Sequence, residues 1–377
     1  MKKKIGKVRT GIFVCTCLLL AGMCLTFSGC ESTELEERKF PLVIAVDKKS
    51  LGAEEEGGNL SSFQISMGFQ NLAEVADEKA KDAGSAPTKT EEMSWYEAFE
   101  ESDASSPKMM DYNHLKAIIL SRELLEDKEM LEELLDFVKE QEVFARNTLL
   151  FTSESEAANI LELEGELDLP VGTWLEEMAA GNTELKDPAI VTLGSLLNEY
   201  ENRMENLYIP ALEAAEDTIR IDQYYVISAY ENCGIVSKDA YRHAMLAEGK
   251  MKQYDTDLDG GEAIRLKEIR TQKSYQLLDD EIQLQIDLRA EAKLLNGTIA
   301  NAKEQEELKK KIEEQLTREL QNEADLLLFE MQVDMANSFY SLGGYERELY
   351  QKYKEDIGNY RNDLRLKILT EITPVTE

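Results

Sequence analysis

Few residues of this 377-residue chain have a type and spacing that point to chemistry. Cys30 comes first, in Ser28-Gly29-Cys30. Small residues directly before a cysteine suit a lipoprotein signal peptidase, which cuts after the thiol has been diacylated. Cys30 is therefore read as a lipidation site carrying palmitate-type acyl chains. His114 and His243 are the two histidines, and neither has a His, Cys or carboxylate partner at a trustworthy ligand spacing. Each is read as a surface or capping residue. Asp255-Thr256-Asp257-Leu258-Asp259-Gly260 looks like the first half of a calcium loop. The twelfth position of such a loop should be a bidentate Glu, and here it is Leu266. The expected alternative is an acidic turn capping a helix that begins near Gly261. Cys233 lies in the apolar stretch Tyr230 to Val236 and reads as a core or strand residue. No Gly-rich phosphate loop, nucleophile elbow or zinc motif is present. With 75 acids, chance carboxylate pairs are expected, so no acid–base pair stands out. The residues thus predict no catalytic, cofactor or metal site.

The elements around Cys30 give it its meaning. Lys2, Lys3, Lys4, Lys7 and Arg9 precede an uncharged apolar stretch from Gly11 to Phe27. A basic segment, an apolar segment and a small-residue cut make a secretory signal peptide over residues 1–29. Residues 30–40 follow as a lipidated tether. The alternative is an uncleaved signal anchor, because Gly11 to Cys30 is just long enough to span a bilayer. Both readings leave the rest of the chain outside, with the cations in the cytoplasm. Cleavage removes five cations and takes the net charge from −33 to −38. Nucleic acid is disfavoured as a partner, since a phosphate-binding surface must be basic. Docking on anionic lipid through basic patches is disfavoured likewise. Cys15, Cys17 and Cys24 leave with the signal peptide, so Cys233 has no cysteine to pair with inside the body.

The body has enough apolar residues, 43% of the chain, to build a core. Phe40 to Asp47 (FPLVIAVD) reads as a buried strand, followed by an acidic, Gly-rich turn over residues 48–60. In residues 61–70, Phe63, Ile65, Met67 and Phe69 face one way and Gln64, Ser66 and Gly68 the other. Residues 73–92 read as a surface loop or weak helix. Strands at 115–121 and 146–152 alternate with helices at 130–139 and 154–161, and 190–204 is helical. Tyr208-Ile209-Pro210 marks a plausible boundary. Strands follow at 223–231 and at 282–289. Leu308, Ile312, Leu316 and Leu320 then repeat every four residues, with Ala324, Leu328 and Met335 extending the stripe. This predicts one long amphipathic helix over about 301–341, ended by Gly343-Gly344. Leu316 falls on its buried stripe and Thr317 on its polar side. A spacing of four drifts off a heptad seam, so the helix should pack on a sheet. A helix at about 345–355 and a strand at 364–372 close the chain. The expected fold is α+β: mixed β-sheets flanked by helices, in domains over 41–210 and 211–377.

Several stretches together resemble one family. They are the Ser28-Gly29-Cys30 site, Glu34 to Arg38 and Leu42 to Asp47 (LVIAVD); His114 to Ile119 and Ser121 to Leu124; Phe137, Arg146 and Leu149 to Thr152. They continue with Leu258 to Ala263 (LDGGEA), the long helix, Asp334, and Tyr345 to Tyr353. In this order they resemble the C subunit of spore germinant receptors, the Ger(x)C lipoprotein family. The resemblance implies sheets flanked by helices and a non-enzymatic subunit of a nutrient germinant receptor in the spore inner membrane. It implies two polytopic membrane partner subunits and a small-molecule germinant bound by the complex. It transfers no ligand site, and it makes the LDGGEA turn structural. The competing expectation is a solute-binding lipoprotein of a membrane transporter, which would need two similar α/β lobes around a cleft. A third is an anchored hydrolase.

Overall fold

The computed structural model describes residues 38–50, 61–69, 88–92, 94–163, 166–184, 190–203, 205–215, 218–278 and 281–375. Two sheets organise the chain from Phe40 onward, which forms one unit. The apolar run predicted as the first strand is β1 (Pro41–Ser50). It pairs antiparallel with β2 (Ser61–Phe69), and β2 with β3 (Thr88–Glu92). On its other side β1 runs parallel to β4 (Ala117–Ser121), β4 to β5 (Leu149–Ser153) and β5 to β6 (Asn206–Ala215). The antiparallel strands β7 (Thr218–Ser228) and β8 (Glu231–Ser237) complete the order β8-β7-β6-β5-β4-β1-β2-β3. Pro210, where a boundary was expected, lies inside β6, and this sheet continues to Ser237.

Helices cover both faces. One face carries α1 (Trp95–Ala104), α2 (Arg122–Glu126), α3 (Lys128–Gln141) and α6 (Leu193–Asn202), whose buried side chains join Ile44, Val46 and Ile118. The other carries α4 (Ala158–Leu161) and α5 (Val171–Glu184) against Val43, Ala45 and Ile119. The two faces of β2 divide as read, and coverage on both sides buries them both. Its polar residues Gln64 and Ser66 are 1% and 3% exposed, because they share a face with Asp47 and Ala45.

The second sheet has the order β9-β10-β11-β12: β9 (Gln253–Asp257), β10 (Ala263–Leu278), β11 (Glu281–Leu294) and β12 (Leu364–Val375). The first three are antiparallel neighbours, and β12 runs parallel to β11. Alternation holds as read: Ile282, Leu284, Ile286 and Leu288 are all buried. Against them packs α8 (Ala302–Met331), burying Ile312, Leu316, Leu320, Ala324 and Leu328. The side chain of Asn301 accepts from Lys303 and Glu304, and Glu304 reaches back to the amide of Ala300, which fixes the start of α8. α7 (Lys238–Glu248) lies alongside, and Tyr208, Tyr224 and Val226 of the first sheet join the same core.

Five expectations are corrected. The long helix ends at Met331, where Gln332 adopts φ 55°, and does not run to Ser341. Gly343-Gly344 lies within a separate helix, α9 (Ser338–Tyr345). The reason is Asp334, whose carboxylate takes the amides of Ala336 (3.1 Å) and Ser338 (2.6 Å) and the Ser338 hydroxyl. A side chain that bonds its own backbone two and four residues on offers a turn in place of a helix. Thr88–Glu92 is a strand where a loop or weak helix was expected, and residues 73–87 lie outside the described residues. The 48–60 turn is corrected at Lys48–Ser50, which extend β1, and 51–60 lie outside. Thr317 is not on a free polar face, because its hydroxyl pairs with that of Thr370 at 2.8 Å. The chain closes with α10 (Arg347–Tyr353) and α11 (Ile357–Asp363) before β12. The α+β class stands as expected, with mixed sheets flanked by helices.

Replacing Leu316, fully buried against β12, by Asp should lower unfolding stability by about 4 kcal/mol, because it leaves an unpaired charge in the core. Asn322→Asp, on the exposed side of the same helix, should change it by no more than about 0.5 kcal/mol. Urea unfolding of both variants decides: equal midpoints would mean that α8 is not packed by this face.

Candidate functional site

The carboxylates in the recognisable stretches come first. Asp47 ends the run LVIAVD at the carboxyl end of β1 and is buried. Its two oxygens accept from the amides of Ala157 (2.6 Å) and Ala158 (3.0 Å), at the start of α4. Burial pushes this carboxyl up, and the two amides pull it back down. Beside it, the Ser121 hydroxyl at the end of β4 accepts from Lys48 and Leu124, capping α2. Asp127 caps α3 through the amide of Met130 and takes the Lys48 ammonium at 2.7 Å. Burial works against the Asp127 charge, yet the Lys48 and Met130 hydrogen bonds hold its carboxyl below the usual range.

These groups surround a cleft of about 210 Å³ lined by Asp47, Lys48, Lys49, Ser121, Glu123 and Glu156, among others. Its place has meaning. β1 is followed by a strand on one side and β4 by a strand on the other, so the order of strands reverses between them. In open sheets with parallel strands, ligands sit outside the carboxyl ends at such a reversal. A second concavity of about 450 Å³ adjoins it past Glu154 and Ser155, reaching Glu213 and Asp222 of β6 and β7. Lys48 is held by Asp127, and Lys49 by Glu156. Asp47 is spent on α4. The walls can therefore hydrogen-bond a small polar molecule, and among the described residues they set no nucleophile beside a base.

The other residues singled out lie apart. His114 closes a short turn over residues 112–114 and meets the Phe40 ring edge-on at 5.1 Å. His243 is 8% exposed, which corrects its reading as a surface or capping residue. It sits on α7 with Nε2 3.1 Å from the Tyr254 hydroxyl and Nδ1 3.9 Å from Glu323. Cys233 is a half-buried residue of β8, as read, and burial pushes its thiol up. Among the described residues no group of three or more His, Cys, Asp or Glu is arranged to hold a metal ion.

The acidic loop is a hairpin turn between β9 and β10, so no helix begins at Gly261. Leu258 and Glu262 close it through a backbone bond of 2.8 Å, and Gly261 has φ +87°, which suits glycine. Arg265 holds Asp255 with two bonds, and Arg318 of α8 holds Asp259 at 2.8 Å. Gln315 of α8 accepts from the Asp259 amide and donates to the Asp257 carbonyl. Leu266 is buried in the core. The turn is thus a clamp on α8.

A third polar group was not visible in the sequence. Asn206 of β6 donates to the Asp334 carbonyl, Ser228 of β7 to Asn206, and buried Arg361 of α11 to Ser228. Lys273 of β10 donates to the Ala336 carbonyl, and Tyr275 to that of Ser338. The group fastens the first sheet to the second through the 334–338 turn. Hydrophobic patterning carries no signal for it, because its members come from five separate elements.

Residues 31–214 match the family described as the spore germination protein N-terminal domain. Residues 224–373 match the one described as spore germination B3/GerAC-like, C-terminal. The chain belongs to the spore germination GerAC family. The fold agrees: the crystal structure of the GerBC protein superimposes with a TM-score of 0.57 at 14% identity, covering 88% of this chain and 97% of that one. No curated protein matches the sequence. In this GerAC-family chain three carboxylates of the stretches that carried the resemblance, Asp47, Asp259 and Asp334, are bound to backbone amides or to a basic side chain.

Two outcomes follow. Asp47→Ala strands two amides at α4 and should cost about 2–4 kcal/mol of stability, with Asp47→Asn about half as damaging because it keeps one acceptor. Equal stability of Asp47→Ala and the parent in thermal melts would refute the capping role. Millimolar calcium should move the melting temperature no further than general screening does. A saturable shift lost in Asp257→Asn would show a site after all.

Proposed function

We propose that this chain is the lipid-anchored, non-enzymatic subunit of a nutrient germinant receptor. It acts in spore germination on the extracytoplasmic face of the spore inner membrane. Polytopic membrane subunits are its partners, and the complex takes a small-molecule germinant. The observation that carries this reading is the pair of family matches, in order, over both halves of the chain. The first match begins at residue 31, directly after Cys30. On this reading residues 1–29 are the signal peptide, 30–40 the tether, and 41–210 and 211–377 two germination-protein domains that share the first sheet. Cys30 itself lies outside the described residues. Among the described residues, no helix is long and apolar enough to cross a membrane. Two acyl chains would supply stable attachment, since each buried methylene contributes about 0.8 kcal/mol and one chain alone is marginal. The partnered polar groups of the cleft support a role in holding and positioning, not in bond-making.

Mass spectrometry of the mature N-terminal peptide tests the anchor: the expected species begins at Cys30 and carries a diacylglyceryl group. An unmodified Cys30 preceded by Gly29 would refute the lipoprotein. Co-purification from detergent-solubilised membranes tests the partners. Polytopic subunits without an ATPase should come down with the chain, whereas a transporter ATPase would favour the solute-binding alternative.

A further inference from the structure

β12 is the edge strand of the second sheet and is 12 residues long, about twice the ordinary strand. A long edge offers a row of unpaired amides and carbonyls to any passing strand. Here α8 occupies that row with side chains. Gln321 accepts from the Ile368 amide (3.0 Å) and donates to the Leu366 carbonyl (3.0 Å), as the peptide group of a neighbouring strand would. Glu313 accepts from the Ile372 amide (2.8 Å), and its own carbonyl takes the Thr370 hydroxyl. Gln305 donates to the Pro374 carbonyl (2.7 Å). The spacing explains the fit. One step of four residues along a helix rises about 6.0 Å, and two residues of strand span about 6.6 Å. Positions 313, 317 and 321 therefore keep pace with 372, 370 and 368 as helix and strand run in opposite directions. The row sits one residue beyond the buried stripe of Ile312, Leu316 and Leu320.

The edge under this row is complementary to itself. The bonded groups belong to even-numbered residues, so those backbone groups point outward in the plane of the sheet. A two-fold axis at Leu369 would set Ile368 against Thr370 of a second copy as a hydrogen-bonded pair. Lys367 would then face Glu371 of that copy, on the side of the sheet away from α8. Leu369, which is 40% exposed, would meet its own counterpart. Opposite charges in register and an apolar centre are what an antiparallel, isologous strand pair needs.

We propose that β12 is a latent dimerisation edge, centred on Leu369 and held shut by the α8 side-chain row. Its occupant is β12 of a second copy. Uncovering the edge lets the two strands pair into one continuous sheet across the two-fold axis.

Disulfide trapping tests the register in the full mature chain, in detergent and with Cys233→Ser to leave no other thiol in the body. Paired residues at the axis would lie about 4.5 Å apart between Cα atoms, inside the range that a disulfide bridges. Leu369→Cys should cross-link weakly with the row intact. Adding Gln321→Ala and Glu313→Ala should raise the dimer by about tenfold or more, the change that goes with about 1.4 kcal/mol. Thr373→Cys in the same background should not cross-link, because it would sit about 26 Å from its counterpart. Gln321→Glu, which keeps the shape but cannot donate to Leu366, serves if the double variant fails to fold. Folded row variants that stay monomeric, or that cross-link equally at 369 and 373, would overturn the proposal.

Discussion

The turn at Asp334 is the interaction on which the rest of the second half depends. A single carboxylate, buried between the two sheets, takes two amides and a hydroxyl from the four residues after it. A buried carboxylate is expensive unless it is bonded in this way. Those bonds stop α8, and they present the carbonyls of residues 334, 336 and 338 to Asn206, Lys273 and Tyr275. Burial pulls the Lys273 ammonium below its usual range, and Asp334 and Glu248 offset only part of that pull. The end of α8, the entry of α9 and the polar link between the sheets all pass through this one residue.

The same chemistry recurs at smaller scale. Asp47 joins the end of β1 to a helix 110 residues later in the chain. Asp259 joins a hairpin turn to α8. Asp47 satisfies amides that a helix start would leave unpaired, and Asp259 takes a guanidinium from mid-helix. Both carboxylates lie in stretches that carried the resemblance, and both are bound to partners far away in the chain.

Much of the fold was legible. The strands at 41–50, 61–69, 117–121 and 281–294 and the helices at 128–141 and 302–331 carry strong periodic patterns. The four-residue spacing on α8 correctly implied packing on a sheet. What failed did so for physical reasons. β3 reads as polar because it lies at a sheet edge with exposed Lys89 and Glu91. The polar side of β2 is buried because α4 and α5 cover that face, which periodicity alone cannot foresee. The break at Gln332 is invisible to propensity, since Asp334 imposes it from beyond the helix. His243 was misjudged because what covers it, Tyr254 of the next strand and Glu323 of α8, is set by how those elements pack and not by spacing along α7.

The parallel pairing of β12 with β11 also sets when the molecule can finish folding. Antiparallel strands can close as soon as both are made, but β12 waits for the whole stretch of 295–363. Until residues 364–375 leave the ribosome, Leu366, Ile368 and Ile372 are missing from the core, and α8 lacks part of the surface it lies on. Contacts this distant in sequence close slowly, because loop entropy is lost before any packing is gained. A nonsense mutation just before β12 would therefore do more than shorten the chain. It would remove the strand that completes the second sheet, leaving a long amphipathic helix exposed to proteases.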